Sequence, residues 1–527
     1  MRRPVVIHPI LLAVFPVLFL FAQNAGLFAP GAMLVPLVAV SCLALLAWST
    51  LSLFLKSWER SGLIVSLFLL LLFSYESCFD SLSDLITGVL GAYILGTRAY
   101  VLLIWGILFT VGTYFLTRTR RNLHNVTNIA NVVAGVLVAM SLTRIGVHEV
   151  NTRSLRSDGQ GPDSMEMEAL DLEEASQLPN IYYIIVDEYA RADTLEKTYG
   201  YDNREFLKYL EGKGFHVATR SNSNYCQTIL SLASSLNMSY LDNLTEQVGM
   251  ESDNRVPAIN MIKDNTVFRF LKGYGYKVVA FSSGYSPTEI RNADVYLTAR
   301  EHSLDEFQSN LLNMTPIPFV ARQLGVYDEY DLRRESILYT IDNLADLSQL
   351  EGPIFVFAHI VAPHQPFVFG QHGEAINPGF QFSWADDGTA LRDQYLQHYA
   401  DQVIFINSRI QAALDRILST SDAPPIIVLQ ADTGPCPVTG SDPLDTAYLQ
   451  QRFPILSAIY VPDSCDIHLY DKITPVNTFR LVFSDCFGAN YELLEDESYF
   501  STSTRPYEFI NVTDEVNRDI DSYNPES

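Results

Sequence analysis

Twenty apolar residues in a row leave a chain few choices. In lipid, backbone groups must pair within their own helix, and a span of about 20 residues crosses the hydrocarbon. Five such windows crowd the first 146 residues, near 8–28, 33–55, 61–80, 99–117 and 128–146. Glu76, Asp80 and Asp84 gather at the end of the third. Hydrophobic windows continue long after the first, which argues against a cleaved signal peptide. A single soluble domain is excluded.

Charge orients the spans. Arg2 and Arg3 precede the first, Lys56 and Arg60 follow the second, and Arg118, Arg120 and Arg121 follow the fourth. With five spans these clusters share one side, the cytoplasmic side by the positive-inside rule, with Arg98 as the exception. An odd number of spans then places the rest of the chain outside the cytoplasm.

Composition changes at this boundary. Of the chain's net charge of -25, residues 1–146 contribute +5 and the remaining 381 residues contribute -30. A basic footprint for a phosphate backbone is missing, so nucleic acid is not expected as a partner. Residues 147–178 form an acidic linker poor in aromatics, with a short helix expected at 164–176. No repeat of solenoid period is present. Cys42 and Cys78 fall in or beside spans, while Cys226, Cys436, Cys465 and Cys486 lie beyond. Their spacing fits no zinc pattern or dense disulfide framework, although an extracytoplasmic location permits disulfides.

From 179 to 527 apolar runs alternate with helical patterns. Strands are expected at 181–186, 277–281, 354–359, 426–430 and 455–461, and helices at 203–212, 228–237, 265–273, 390–418 and 474–487. Such alternation predicts an α/β domain with a mainly parallel sheet sandwiched by helices. The fold expected of the whole chain is therefore a five-helix transmembrane region followed by that domain.

Ligands gather at the carboxyl ends of parallel strands. There the sequence places Asp187-Glu188, His359 with His364 following, and Asp432-Thr433-Gly434. Two converging carboxylates either bind a cation or raise one another's pKa, and an Asp at a strand end also commonly caps a turn. Thr228 opens the apolar helix of SNSNYCQTILSLASSLN. A helix start favours phosphate or a forming alkoxide, and a Thr hydroxyl needs a metal or base to become nucleophilic. Thr228 can equally serve as an N-cap. Cys226 has no base near in sequence to activate it. His359 suits a buried structural role as well as the site; His372, in a Gly-rich loop, and His398, in the long helix, are weaker candidates.

Together these stretches resemble the alkaline phosphatase superfamily in its sulfatase-like branch, above all the membrane-anchored phosphoglycerol and phosphoethanolamine transferases such as lipoteichoic acid synthase. PNIYYIIVDEYARAD looks like the family's opening strand, which implies a metal role for Asp187, with Glu188 beside it. Thr228 and Ser231 look like its Thr-x-x-Ser, implying Thr228 as nucleophile and Ser231 at the substrate. FAHIVAPHQPF looks like its His-x-x-x-Pro-His-x-Pro, implying that His364, with His359 near it, contacts the phosphoryl group. LQADTGP looks like the Asp-His-Gly metal loop, implying metal roles for Asp432 and Thr433.

Two departures matter. Leu232 stands where sulfatases carry Arg, which argues against formylglycine chemistry, and Thr433 stands where the family's metal-binding His would be. The remaining donors, Asp187, Asp432, Thr228, Glu188 and Thr433, are all oxygen atoms, which favours one Mg²⁺, Mn²⁺ or Ca²⁺ ion. The implied activity is phosphoryl transfer or phosphodiester hydrolysis on a membrane lipid, lipid-linked or glycan substrate of the cell envelope. The alternative is a catalytically lapsed binding or assembly protein, for which Thr433 is the evidence.

The five-span reading is checked by labelling with a membrane-impermeant maleimide. In intact cells Ser164→Cys should label, and Ser57→Cys should label only after the membrane is opened. The reverse pattern overturns the orientation.

Overall fold

The computed structural model describes residues 5–79, 94–156, 178–300, 304–377, 392–435 and 444–518. The helix expected at 164–176, Asp80, Asp84 and Cys436 lie outside these residues. The chain divides into two compact units.

The first unit contains the N-terminal helices α1 (His8–Gln23), α2 (Leu34–Leu55), α3 (Trp58–Phe73), α4 (Ile94–Arg118) and α5 (His124–Arg156). Each apolar window overlaps one of these helices, though residues 24–28 of the first form a turn. Among the described residues, three helical stretches are long and apolar enough to cross a membrane: Pro30–Leu55, Arg98–Arg118 and His124–Val150. α1 is shorter, and α3 stops at Phe73, before the expected end at 80. Arg98, the exception to the charge pattern, pairs with Glu76 at 2.7 Å. Asn131 on α5 accepts hydrogen bonds from the backbone N–H groups of Ile7 and His8, at 3.1 and 2.9 Å. It thereby supplies partners to amides that the first turn of α1 leaves unpaired.

The sequence boundary at 179 assigns everything beyond it to one domain. By their contacts, residues 304–329 group with the first unit. Phe307 and Leu311 from this segment join Val17, Phe21, Ala25 and Phe28 in one apolar cluster.

The second unit is built on a seven-stranded sheet of order β2-β7-β6-β1-β5-β3-β4. Its strands are β1 (Ile181–Val186), β2 (His216–Val217), β3 (Lys277–Phe281), β4 (Val295–Leu297), β5 (Ile354–Ile360), β6 (Ile426–Gln430) and β7 (Ser457–Tyr460). β6, β1, β5, β3 and β4 run parallel; β7 is antiparallel to β6 and to β2. The parallel strands β1, β5 and β6 are buried throughout, as apolar runs covered on both faces require.

One face is covered by the Arg392–Thr420 helix, whose Val403, Ile406, Ile410, Leu414 and Ile417 recur at helical spacing and join the core. On the other face the Thr228–Asn237 and Pro475–Leu481 helices lie side by side. There Phe479 meets Tyr183 edge-on at 5.1 Å and Phe355 at 6.0 Å.

Register positions the site. Ile185 on the central strand pairs with His359 on β5 and with Gln430 on β6. Asp187 and Asp432 therefore each stand two residues beyond the same row, and His359 stands in that row.

Cys465 and Cys486 form a disulfide across 21 residues. A cross-link of that span stabilises a fold by about 3 kcal/mol through the entropy of the unfolded chain. Replacing both by serine should lower the unfolding free energy of the purified protein by about that much, seen as a lower denaturation midpoint. An unchanged midpoint would show that the bridge contributes nothing.

Candidate active site

β1 ends at Val186, and the next two residues turn sharply. Asp187 donates its backbone N–H to Ile360, 3.0 Å away, and accepts one from His364 at 3.1 Å, so the β1 and β5 exits are tied together. Glu188 has φ +58°. That left-handed conformation costs a residue with a Cβ on the order of 1–2 kcal/mol. Several bonds hold it. The Glu188 N–H donates to Asp432 Oδ1 at 3.2 Å, and its carbonyl accepts from the Tyr399 hydroxyl at 2.7 Å. Its carboxylate is paired with Arg452 and lies 3.9 Å from His364 Nε2.

Asp187, His359 and Asp432 form a buried group whose donor atoms all lie within 4.8 Å of one another. His359 Nε2 is 3.4 Å from Asp187 Oδ2. Among the described residues, Asp187 Oδ1, Asp432 Oδ2, His359 Nε2 and Thr433 Oγ1 are buried without a hydrogen-bond partner. Buried polar atoms are normally satisfied. The unpaired atoms of Asp187, His359 and Asp432, gathered around one point, fit a divalent cation.

The two carboxylates have different proton affinities. Burial, then the charge of Asp187, pushes Asp432 up to about 7, against the opposing effects of His359, the Thr228 hydroxyl and the Glu188 N–H. At Asp187 burial also disfavours the charge. The His364 and His359 imidazoles and Asp432 outweigh burial and hold Asp187 below the usual carboxylate range.

Thr228 is the first residue of its ten-residue helix, and Gln227 takes the cap position. The Thr228 hydroxyl is thus not spent on capping; it acts on the Asp432 carboxylate to lower its pKa, and the residue remains partly exposed. Ser231, one turn on, is buried and donates to the Asp432 carbonyl at 2.7 Å, which anchors the acid's backbone. Cys226 is buried beside the Ser501 carbonyl, and burial raises its thiol pKa, so it has no character of a nucleophile.

Thr433 is followed by a glycine that cannot be replaced. A Cβ on Gly434 would lie 2.3 Å from the Gln451 carbonyl oxygen and 2.8 Å from that of Arg452. Arg452 also donates to the Cys226 carbonyl at 2.8 Å and to the Gly434 carbonyl at 2.7 Å. One guanidinium therefore joins the β1 turn, the Asp432 loop and the approach to Thr228.

The site residues expected from sequence do not all meet at one point. Asp187, Asp432 and Thr228 come together. Glu188 turns its carboxylate to Arg452. His364 lies at the rim, partly exposed. His359, expected near the substrate, stands with the two aspartates, so the expected all-oxygen donor set gains an imidazole nitrogen. A mixed set suits Mn²⁺ or Zn²⁺ better than Ca²⁺.

Four contributors escaped the sequence reading. Arg452 is one. Arg333 and Gln402 clamp the His364 segment: Arg333 donates to the Val361, His364 and Gln365 carbonyls at 2.6, 3.1 and 3.3 Å, and Gln402 donates to that of Pro363 at 3.1 Å. Burial lowers the Arg333 pKa to about 10. The fourth is Thr288, whose hydroxyl is 2.8 Å from His359 Nδ1 and 2.9 Å from Ser283 Oγ. Thr288 can donate to the Tyr285 carbonyl, 3.2 Å away, while accepting from the imidazole. That arrangement fixes the ring with Nε2 turned toward the carboxylates.

Comparison with known proteins gives distant likenesses. No family model matches the chain. No curated protein matches it either. Among solved structures, the chain is similar to the C-terminal periplasmic domain of EcEptC from Escherichia coli, at 11% identity and a TM-score of 0.42, over 67% of this chain and 96% of that one. It is similar to the integral membrane protein lipooligosaccharide phosphoethanolamine transferase A from Neisseria meningitidis, at 12% identity and a TM-score of 0.38, over 87% of this chain and 90% of that one. A third, described under glycosaminoglycan metabolism by Bacteroides thetaiotaomicron, has 13% identity and a TM-score of 0.36, over 58% of this chain and 72% of that one.

Outer partners of a metal-binding histidine typically change metal affinity 10–100-fold when removed. Thr288→Val should therefore weaken Mn²⁺ binding by about that factor, and Thr288→Ser should retain most of it. Calorimetric titration with Mn²⁺ measures both; equal affinity in all three proteins removes Thr288 from the site.

Proposed function

We propose that this is a membrane-anchored phosphotransferase or phosphodiester hydrolase of the cell envelope, with Thr228 as nucleophile. One observation carries the reading: a partly exposed threonine at a helix start faces, and lowers the pKa of, an aspartate of a buried Asp-His-Asp group. Five spans, a cytoplasmic N-terminus and an extracytoplasmic sheet unit complete the proposal. The cysteine pair supports that location, since disulfides persist in oxidising compartments.

Asp187, Asp432 and His359 would hold the cation, with Thr228 and Thr433 as further oxygen donors. Such an ion supplies Lewis acidity toward a phosphoryl oxygen and lowers the pKa of a coordinated hydroxyl. The chain's own groups account for the remaining chemistry. Thr228 Oγ attacks phosphorus, and its proton passes to the Asp432 carboxylate. The Oγ–P bond forms as the bond to the leaving oxygen breaks, and protonated His364 gives that oxygen a proton. Water or a substrate hydroxyl then attacks phosphorus and gives its proton to His364, while the Oγ–P bond breaks and Asp432 returns its proton to Thr228 Oγ. The backbone N–H groups at the helix start face the phosphoryl oxygens and favour their charge.

The substrate proposed is a phosphodiester in a lipid headgroup or lipid-linked glycan. Tethering to the membrane raises its effective concentration without a specific contact.

Thr433 favours a second reading, a lapsed module that binds without turnover. His359 answers it in part by bringing an imidazole to the group that the metal loop leaves short.

The purified full-length protein, loaded with Mn²⁺, should hydrolyse bis(p-nitrophenyl) phosphate. Thr228→Ala should lower kcat/KM by at least about 10³-fold. Chelation should abolish turnover, and added Mn²⁺ should restore it. Turnover indifferent to both treatments overturns the mechanism, and metal binding without turnover supports the lapsed reading.

A further inference from the structure

The chain leaves the sheet unit after β4 and re-enters it at Tyr330; the residues between belong to the membrane unit. This excursion is well formed. Asp305 and Gln308 make a reciprocal capping box at 2.8 and 3.4 Å, which starts the Glu306–Asn313 helix. A second helix, Ile317–Gln323, follows directly. The inner face is apolar: the Phe307 ring meets Phe28 edge-on at 5.3 Å and Phe21 at 6.4 Å. Met314 packs on the same cluster, to which Leu27, Met33, Leu37 and Ile145 contribute from the N-terminal helices and the α1–α2 connection.

The outer face is apolar as well. Ile317, Val320 and Leu324 recur at i, i+3 and i+7, the spacing of one helical stripe, and all are exposed, with Leu324 at 72% and Val326 at 74%. The charged side chains do not cover this stripe: Arg322 pairs with Asp328 at 3.3 Å, and both are largely withdrawn from the surface. A water-facing helix has the opposite arrangement. Other apolar residues of the same unit face outward as well, among them Leu34, Val35 and Val38 at the start of α2. A helix turning an apolar stripe outward matches a segment lying in the bilayer interface.

We propose that residues 304–326 lie on the membrane, with Ile317, Val320, Leu324 and Val326 seated in the acyl boundary of the outer leaflet. The partner is the phospholipid bilayer itself. The proposal rests on the membrane reading of the N-terminal helices and extends it to a segment that the sequence places between two elements of the sheet unit.

The test uses full-length protein in phosphatidylcholine–phosphatidylglycerol nanodiscs, with Cys42→Ser, Cys78→Ser and Cys436→Ser as background. Nitroxides are placed singly by Leu324→Cys, Val326→Cys, Lys208→Cys and Leu46→Cys, and their collision rates with oxygen and with a water-soluble nickel chelate are compared. Lys208, exposed on the sheet unit, is the aqueous reference, and Leu46 on α2 is the lipid reference. Labels at 324 and 326 should favour oxygen several-fold over nickel, as at 46. A nickel preference like that at 208 overturns the proposal. Protection from both reagents also overturns it, since a second copy or another protein would then cover the stripe. Nickel access at 46 would instead show that the membrane reading itself fails.

Discussion

Two buried carboxylates a few ångströms apart are the constraint on which the site depends. Neighbouring parallel strands in register deliver Asp187 and Asp432 to one level, and the fold then encloses both. Paired negative charge without water is unfavourable unless a proton or a cation lies between the partners. The upward displacement of the Asp432 pKa expresses that tension. The surroundings are arranged to hold the tension in place: a left-handed Glu188, an arginine bridging three loops, and a glycine with no room for a Cβ. Such strain is characteristic of functional sites, where the rest of the fold over-determines the geometry.

Much of this was legible in the sequence because burial leaves a simple pattern. Strands covered on both faces are continuous apolar runs, and the five main ones were read within a few residues. Their polar termini marked Asp187, Asp432 and His359 before any coordinates. The short edge strands β2 and β4 were not read, since two or three residues carry no periodicity. The antiparallel direction of β7 was not legible either, because an apolar run does not record its direction.

The supporting residues show where such reading stops. Thr288 lies 71 positions from the histidine it orients, and Arg452 lies 264 from the glutamate it holds. Neither breaks a local pattern, so only tertiary structure reveals the role. His359 illustrates a subtler limit. Its position at a strand end was plain, but its partner depended on register, which the sequence does not state. Nothing in the sequence sets residues 304–329 apart from their neighbours; only the packing of Phe307 and Leu311 with residues of α1 does.

That excursion bears on how the molecule can be taken apart. Cutting after the acidic linker would not release a clean soluble half. The severed portion would retain Phe307, Leu311 and Met314 without their counterparts on α1 and the following turn, presenting greasy side chains to water at two adjoining helices. Aggregation of a truncated chain would then follow from an orphaned surface rather than from instability of the sheet. Excising 304–328 and rejoining its flanks with a short flexible bridge is the remedy that the architecture suggests.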